Sequence, residues 1–424
     1  MADLKTSFLG IESPNPFWLA SAPPTDKAYN VNRAFEAGWG GAVWKTLGEA
    51  GPPIVNVSGP RYGALHSNER RVIGFNNIEL ITDRPLETNL GEIRQVKRDW
   101  PDRALIVSVM LPMNEPAWSQ YLPMIEDTGC DGIELNFGCP HGMSERGMGS
   151  AVGQVPEYIQ MATVWAKRAT SLPVIVKLTP NVTNILPPAK AALDGGADAV
   201  SLINTINSIM RVDYDSLTMY PSTDGMGTHG GYCGEAVKPI ALNMVAEIAR
   251  HAETSKLPIS GIGGVTDWRD AVDFLALGAS NVQVCTAAMV YGFRIVEDLV
   301  DGLATFLDDK GLTLAELVGK AVPSVTDWQY LNLNYVEKAV IDQDLCIECG
   351  RCHVVCEDTS HQAITSMVDG HRRFEVIEDA CVGCNLCVSV CPVDGCITMR
   401  QVSADDADRL NWTQHPNNPL RTMD

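Results

Sequence analysis

Thirteen cysteines punctuate the chain, and nine of them fall between Cys346 and Cys396. Cys346, Cys349, Cys352 and Cys356 are spaced C-x2-C-x2-C-x3-C; Cys381, Cys384, Cys387 and Cys391 repeat the pattern, with Pro392 after the last. This is the spacing of bacterial two-cluster ferredoxins. Three closely spaced thiolates wrap three irons of one cubane, and the fourth cysteine of each run ligates the other cluster. The expected ligand sets are therefore Cys346, Cys349, Cys352 and Cys391 for one [4Fe–4S] cluster, and Cys381, Cys384, Cys387 and Cys356 for the other. A pair of structural zinc sites is the alternative, but zinc sites usually show two C-x2-C pairs rather than two four-cysteine runs. The first run lacks the trailing proline, since Glu357 follows Cys356, and Cys396 is read as a core thiol. Such clusters carry single electrons and transform no substrate, so a two-electron centre is expected elsewhere in the chain. A flavin handles both kinds of transfer.

Several other residues have types and positions suited to that centre. Ser260-Gly261-Ile262-Gly263-Gly264 and Cys285-Thr286-Ala287 end two apolar runs and could offer backbone amides and a hydroxyl to a phosphate; tight turns without a ligand are the plainer reading. Lys45 and Lys177 lie inside apolar strands, where an unpaired ammonium is costly. Beside an anionic reduced flavin that charge would be stabilised; alternatively each lysine snorkels from a strand end. Cys139 stands at the end of another strand, before a Gly/Met-rich stretch, and is placed like a mobile acid or base, although a free cysteine is also commonly a small buried hydrophobe. Asn77, Asn136, Asn204 and Asn207 offer carboxamides, which match both the donor and the acceptors of a cyclic imide, though they also suit turns. Gly225-x-Gly227-x-x-Gly230 matches a dinucleotide fingerprint but follows no strand of a βαβ unit, so it is rejected. A nicotinamide donor would then bind another polypeptide.

The elements that must position these residues alternate along the chain. Candidate strands are Phe17–Ala22, Gly41–Thr46, Leu105–Met110, Gly132–Phe137, Val174–Thr179, Ala199–Asn204, Ile259–Gly263 and Val282–Thr286, short apolar runs of the kind buried on both faces of a parallel sheet. Helical patterns cover Pro156–Ala169, Glu235–Ala252 and Asp267–Leu277. Gly38, Gly129, Gly196 and Gly278 each stand where a helix must stop before a strand. Eight strands predict a (β/α)8 barrel, with an open doubly wound sheet as the alternative. Three stretches, Glu49–Arg103, His141–Val155 and Ser208–Gly234, are too long for ordinary connections and are expected to be lids, binding loops or disorder. The expected organisation is a barrel over residues 1–310, a connector over 311–338, a small α+β ferredoxin-like domain over 339–402 and a tail over 403–424. The formal charge of −20 argues against nucleic acid or an anionic membrane as partner. No apolar run approaches a membrane span and the N-terminus has no secretory pattern, so a cytoplasmic location is expected.

The segments NFGCPHG, KLTPNVT, INT, GGYCGEAVKPIAL, GIGG and VCTAA together resemble the dihydroorotate dehydrogenase superfamily. With the double cysteine run, the chain more closely resembles the dihydropyrimidine dehydrogenases, in particular the bacterial subunit type carrying FMN and iron–sulfur clusters. The resemblance implies reduction of the 5,6-double bond of uracil or thymine with electrons from NAD(P)H, the first step of pyrimidine catabolism. It makes Cys139 the general acid toward C5 and Met143–Gly147 a mobile loop. It assigns Asn77, Asn136, Asn204 and Thr205 to the pyrimidine. It places Lys45 and Lys177 beside the flavin ring, and Ala20, Ser21, Thr46, Gly234, Gly261, Gly263, Gly264, Cys285 and Thr286 around the rest of FMN. Single-chain members carry an N-terminal half with FAD, NADPH and further clusters, whereas this chain begins at the barrel. A separate FAD/NAD(P)H-binding iron–sulfur subunit is therefore expected, in a heterotetramer. A serine often precedes the family's catalytic cysteine; here it is Gly138. Rival readings are a dihydroorotate-type oxidase, a reductase of another cyclic imide or enone, and a non-catalytic electron-transfer subunit.

Overall fold

A computed structural model describes residues 2–48, 54–67, 70–332 and 335–402. The first residues of the long stretch beginning at Glu49 and the tail expected over 403–424 lie outside them. The chain divides into two compact units, Met1–Val325 and Thr326–Asp424.

The first unit is built on eight parallel strands: β1 Phe17–Leu19, β2 Gly41–Gly48, β3 Ala104–Met110, β4 Gly132–Asn136, β5 Val174–Lys177, β6 Ala199–Leu202, β7 Ile259–Ile262 and β8 Ala279–Val284. The sheet closes because β8 pairs with β1 as well as with β7, with Val282 opposite Phe17 and Val284 opposite Leu19. Closure decides against the open doubly wound sheet. Gly38, Gly129, Gly196 and Gly278 all have positive φ, the left-handed conformation that ends a helix and frees the chain for the next strand. The outer helices bury one stripe each: helix Pro156–Ala169 turns Ile159, Ala162, Thr163 and Ala166 inward, the i, i+3, i+4, i+7 positions of an amphipathic helix.

Alternation along the strands layers the barrel interior. At the N-terminal end, Trp18, Val43, Ala104, Ile106, Ile175 and Ala199 form an apolar plug, covered by Phe8 and Ile11 from the hairpin Thr6–Phe8/Ile11–Ser13. Two residues further along β3 and β6, Ala104 and Ile106 give way to Ser108, and Ala199 to Ser201. There Ser201 Oγ donates to Glu134 Oε2 at 2.8 Å and Gln283 Nε2 to Ser260 Oγ at 2.9 Å. The interior thus becomes polar toward the C-terminal ends of the strands.

Two of the long stretches contribute strands, and the third, His141–Val155, holds a 3-10 turn at Ser144–Arg146 and a short helix at Ser150–Gly153. Tyr62–His66 and Val72–Asn77 form a hairpin that pairs with Gly230–Cys233, which in turn pairs with Ile206–Ser208, giving a four-stranded antiparallel sheet. Gly231 has no room for a side chain in it, since a Cβ there would lie 2.1 Å from Thr205 Oγ1. The segment expected as a connector from 311 onward contributes Leu314 and Leu317 to the barrel core, and this unit extends to Val325.

In the second unit Val336–Ile341 pairs antiparallel with Ile397–Val402, bracketing two short helices, Arg351–Glu357 and Leu386–Val390. Its core gathers Ala339, Ile364, Phe374 and Ile397 with Cys352, Cys356, Cys387 and Cys396. Among the described residues no helix is long and apolar enough to cross a membrane.

Candidate active site and cluster cavities

A cavity opens at the C-terminal ends of the barrel strands; together with its solvent-open mouth it encloses about 1150 Å³. Residues on or directly after every strand except β3 line its wall, and the antiparallel sheet adds Tyr62, Phe75, Asn77, Tyr232 and Cys233. The register of β2 against β3 shifts between Trp44 and Leu47, and the consecutive residues Lys45 and Thr46 both line the cavity.

A chain of hydrogen bonds holds the polar wall. Thr46 Oγ1 meets Ser21 Oγ at 3.1 Å and Ser108 Oγ at 3.0 Å, and accepts from Asn136 Nδ2 at 2.9 Å. Asn136 Oδ1 accepts from Asn204 Nδ2 at 2.9 Å and from the Gly138 N–H at 3.2 Å. Asn204 Oδ1 accepts from the Thr205 N–H at 2.8 Å. Asn77 Nδ2 donates to the Gly231 carbonyl at 3.0 Å, and its Oδ1 accepts from the Glu79 N–H at 3.2 Å. These bonds orient each carboxamide. Asn136 and Asn204 spend one N–H each and keep the other for a ligand carbonyl.

Cys139 stands just beyond β4, with Sγ 3.5 Å from the His141 carbonyl. Burial pushes its thiol up to about 11, so at neutral pH it holds its proton. His141 Nε2 donates to the Glu79 carbonyl at 2.9 Å, and burial lowers the imidazole's proton affinity, keeping it neutral. Both lysines are paired. Lys45 Nζ lies 2.8 Å from Glu79 Oε1 and 3.8 Å from Asp26, and Lys177 Nζ lies 3.6 Å from the wholly buried Glu134.

The second unit contains two smaller cavities. One, of about 350 Å³, is lined by Cys356, Cys381, Cys384 and Cys387; the other, of about 310 Å³, by Cys346, Cys349, Cys352 and Cys391. Each takes three cysteines from one run and the last from the other, the interlocked grouping expected from the spacing. Cys396 borders the second cavity and is buried, with Sγ 3.7 Å from the Asp342 carbonyl.

Residues 3–307 match the dihydroorotate dehydrogenase family and residues 339–399 a 4Fe-4S dicluster domain. The chain belongs to the dihydroorotate dehydrogenase family. It is 40% identical to the NAD-dependent dihydropyrimidine dehydrogenase subunit PreA of Escherichia coli (strain K12), over 98% of each chain. It is 41% identical to the chloroplastic dihydropyrimidine dehydrogenase (NADP(+)) of Arabidopsis thaliana, over 74% of this chain and 75% of that one. A crystal structure of DHODH from Eimeria tenella in complex with ferulenol shares the barrel fold, with a TM-score of 0.61 at 20% identity, covering 75% of this chain and 88% of that one.

Within this family barrel, the structure gathers Ala20, Ser21, Lys45, Thr46, Asn77, Asn136, Cys139, Lys177, Asn204, Thr205, Gly234, Gly263, Gly264, Cys285 and Thr286 around the one cavity. Gly261 does not belong there: a Cβ on it would meet Phe274 at 2.6 Å and Ala279 at 3.0 Å. Strand alternation is the reason, since its neighbour Ser260 faces the interior and bonds Gln283, which turns Gly261 toward the helix layer. Asn207 is exposed and receives no place on the wall; its N–H donates to Asn181 Oδ1. Gly138 is dictated by contact, because a Cβ would lie 2.3 Å from that of Asn204. Sequence reasoning missed Tyr62, Phe75, Glu79, His141, Tyr232 and Cys233. All but His141 lie on the antiparallel sheet or just after it, and no local pattern marked that sheet.

Proposed function

We propose that this chain is the catalytic subunit of an NAD(P)-dependent dihydropyrimidine dehydrogenase, reducing uracil or thymine to the 5,6-dihydropyrimidine. The observation that carries this reading is the convergence of a protonated thiol, Cys139, and two oriented carboxamides, Asn136 and Asn204, on one cavity at the strand ends. The residues present fit FMN. Gly263 and Gly264 have positive φ and bring backbone to the wall at the end of β7, and Thr286 adds a hydroxyl after β8. The Tyr62 and Tyr232 hydroxyls on the same wall are buried without partners. The two four-cysteine cavities fit two [4Fe–4S] clusters.

When bound, FMN supplies hydride chemistry and the clusters supply one-electron conduction. Asn77, Asn136, Asn204 and Thr205 hold the pyrimidine by its imide edge, with donors for its carbonyls and acceptors for its N–H groups. Cys139 delivers a proton from Sγ to C5 during reduction and takes it back during oxidation. The paired Lys45 and Lys177 keep positive charge beside the cofactor. Electrons come from a separate FAD/NAD(P)H-binding iron–sulfur subunit, the two kinds of chain forming a cytoplasmic heterotetramer.

Anaerobic titration of the holoprotein with 5,6-dihydrouracil tests the reading, with dihydroorotate alongside. Bleaching of the flavin absorbance by dihydrouracil is expected. Bleaching by dihydroorotate alone would overturn the substrate assignment.

A further inference from the structure

The cysteine-rich unit is built from two matched halves. Asp342 precedes Cys346 by four residues, and Ile377 precedes Cys381 by four. The Asp342 N–H donates to the Cys396 carbonyl at 2.8 Å, and the Ile377 N–H donates to the Ala363 carbonyl at 2.8 Å. One residue on, Ile397 pairs antiparallel with Ile341, and Ile364 with Val376. Cys396-Ile397-Thr398 and Ala363-Ile364-Thr365 therefore occupy equivalent places. Cys396 lines the cavity of Cys346, Cys349, Cys352 and Cys391, and Ala363 lines that of Cys356, Cys381, Cys384 and Cys387. Both residues are buried, so the halves differ here by a single sulfur. On the alanine side, the Ala363 N–H donates to Cys356 Sγ at 3.2 Å. On the cysteine side, the Cys396 thiol is in hydrogen-bond contact with the thiols of Cys391 and Cys346 and lies 3.7 Å from the Asp342 carbonyl.

We propose that Cys396 is a positioning residue of the cluster held by Cys346, Cys349, Cys352 and Cys391: its S–H donates to the ligand sulfurs of Cys346 and Cys391 and raises the reduction potential of that one cluster. Five sulfurs share this cavity, and a [4Fe–4S] cluster takes four thiolates. The fifth is left as a thiol, a group that can still donate. Donation to an ionised sulfur is charge-assisted and stronger than donation to a neutral one. The reduced cluster carries one more negative charge than the oxidised one, so the donor favours the reduced form. Hydrogen bonds to the sulfurs are among the factors that set cluster potentials. At the equivalent place in the other half, the methyl group of Ala363 has nothing to donate. The two clusters are thus given different surroundings by one substitution within the repeat. The proposal needs the two clusters and does not depend on which substrate the barrel takes.

The test is a redox titration of the full-length iron–sulfur protein, followed by electron paramagnetic resonance, in wild type, Cys396→Ala, Cys396→Ser and Ala363→Cys. The signal missing from Cys346→Ser identifies the cluster concerned. Cys396→Ala should lower the midpoint of that cluster, weakening its reduction by about three- to tenfold, where tenfold is about 59 mV for one electron. The other cluster should move by less than about twofold, and iron should stay at about eight atoms per chain. Cys396→Ser keeps a donor and should return the midpoint toward that of wild type, a rescue that packing alone does not give. Ala363→Cys should raise the midpoint of the other cluster in a chain whose Cys396 is untouched. Equal midpoints in wild type and Cys396→Ala, or the same drop in Cys396→Ala and Cys396→Ser, would overturn the proposal. Loss of iron from Cys396→Ala would also overturn it, since Cys396 would then hold the cluster rather than tune it.

Discussion

In the proposed function Cys139 is the proton donor, and burial sets the protonation of its one reactive atom. Its thiol, pushed up to about 11, is the conjugate acid at neutral pH, the form a proton donor needs. Reduction of uracil should therefore be insensitive to this group from neutral pH upward, falling only as the thiol ionises near 11. Oxidation of dihydrouracil needs the thiolate, whose fraction rises about tenfold per pH unit below the pKa, so that direction should accelerate with pH. Rate profiles measured in both directions would check the opposed signs. Cys139→Ala should lower turnover by about 10²–10⁴-fold with FMN content unchanged; near-wild-type turnover would remove the acid assignment. Gly138 is the second residue whose identity is dictated locally. A serine there would press on Asn204, which lies 2.3 Å from the position of its Cβ. Gly138→Ser should displace that amide and raise KM for uracil more than it lowers kcat, which steady-state kinetics would show.

Elements rather than single residues bring the cavity together. The helix Trp268–Ala276, just after the end of β7, begins at Asp267, and Asp270 anchors its first turn. Asp270 Oδ2 accepts from the Thr266 N–H and Oγ1 and from the Asp267 N–H, while Oδ1 takes the Lys238 ammonium. Burial alone would raise this carboxyl, but the Lys238 and Thr266 bonds outweigh it and hold it below its ordinary value. A depressed folded-state pKa contributes stability that is present above the unfolded value and is lost as pH falls through the folded one. Asp270→Asn should therefore cost about 1–3 kcal/mol at pH 7, with the difference shrinking in strong acid, as urea melts at both pH values would show. The antiparallel sheet makes a different kind of contribution. It joins Asn77 to Gly231, 154 positions apart, and so carries one cavity-lining amide to the barrel mouth. A side chain at Gly231 would intrude on Thr205, and Gly231→Ala should loosen that corner and raise KM while leaving the barrel folded, as circular dichroism would report.

On the scale of the molecule, two-electron chemistry belongs to the unit Met1–Val325 and one-electron conduction to the unit Thr326–Asp424. These functions should separate. Cys391→Ser should perturb the same cluster as Cys346→Ser, although the two residues belong to different runs, because Cys391 lines the cavity of the first run. Iron content should fall from about eight toward about four atoms per chain in each variant, and their electron paramagnetic resonance spectra should lose the same signal. Flavin bleaching by dihydrouracil should survive in both, since the cavity that takes the substrate is built within the first unit.

The eight strands, the barrel class, the two cysteine sets and the strand-end residues were legible from sequence for a local reason. A parallel strand buried on both faces reads as a continuous apolar run, a helix-ending glycine sits at a regular place, and cluster ligands keep a spacing that the cubane imposes. The tertiary structure decided what depends on distant partners. The hairpin Tyr62–His66/Val72–Asn77 is half exposed and finds its partner strand far along the chain, so no window of sequence displayed it. Gly261 resembled its neighbours in type, and only the alternation of β7 turned it away from the cavity. Glu79 carried no local signal, and only folding set it 2.8 Å from Lys45, 34 positions away. The chain's composition and local spacing thus determined its chemistry and architecture. Which charges face each other inside the cavity was decided by the fold, because Coulomb interactions follow distance in space and not separation along the chain.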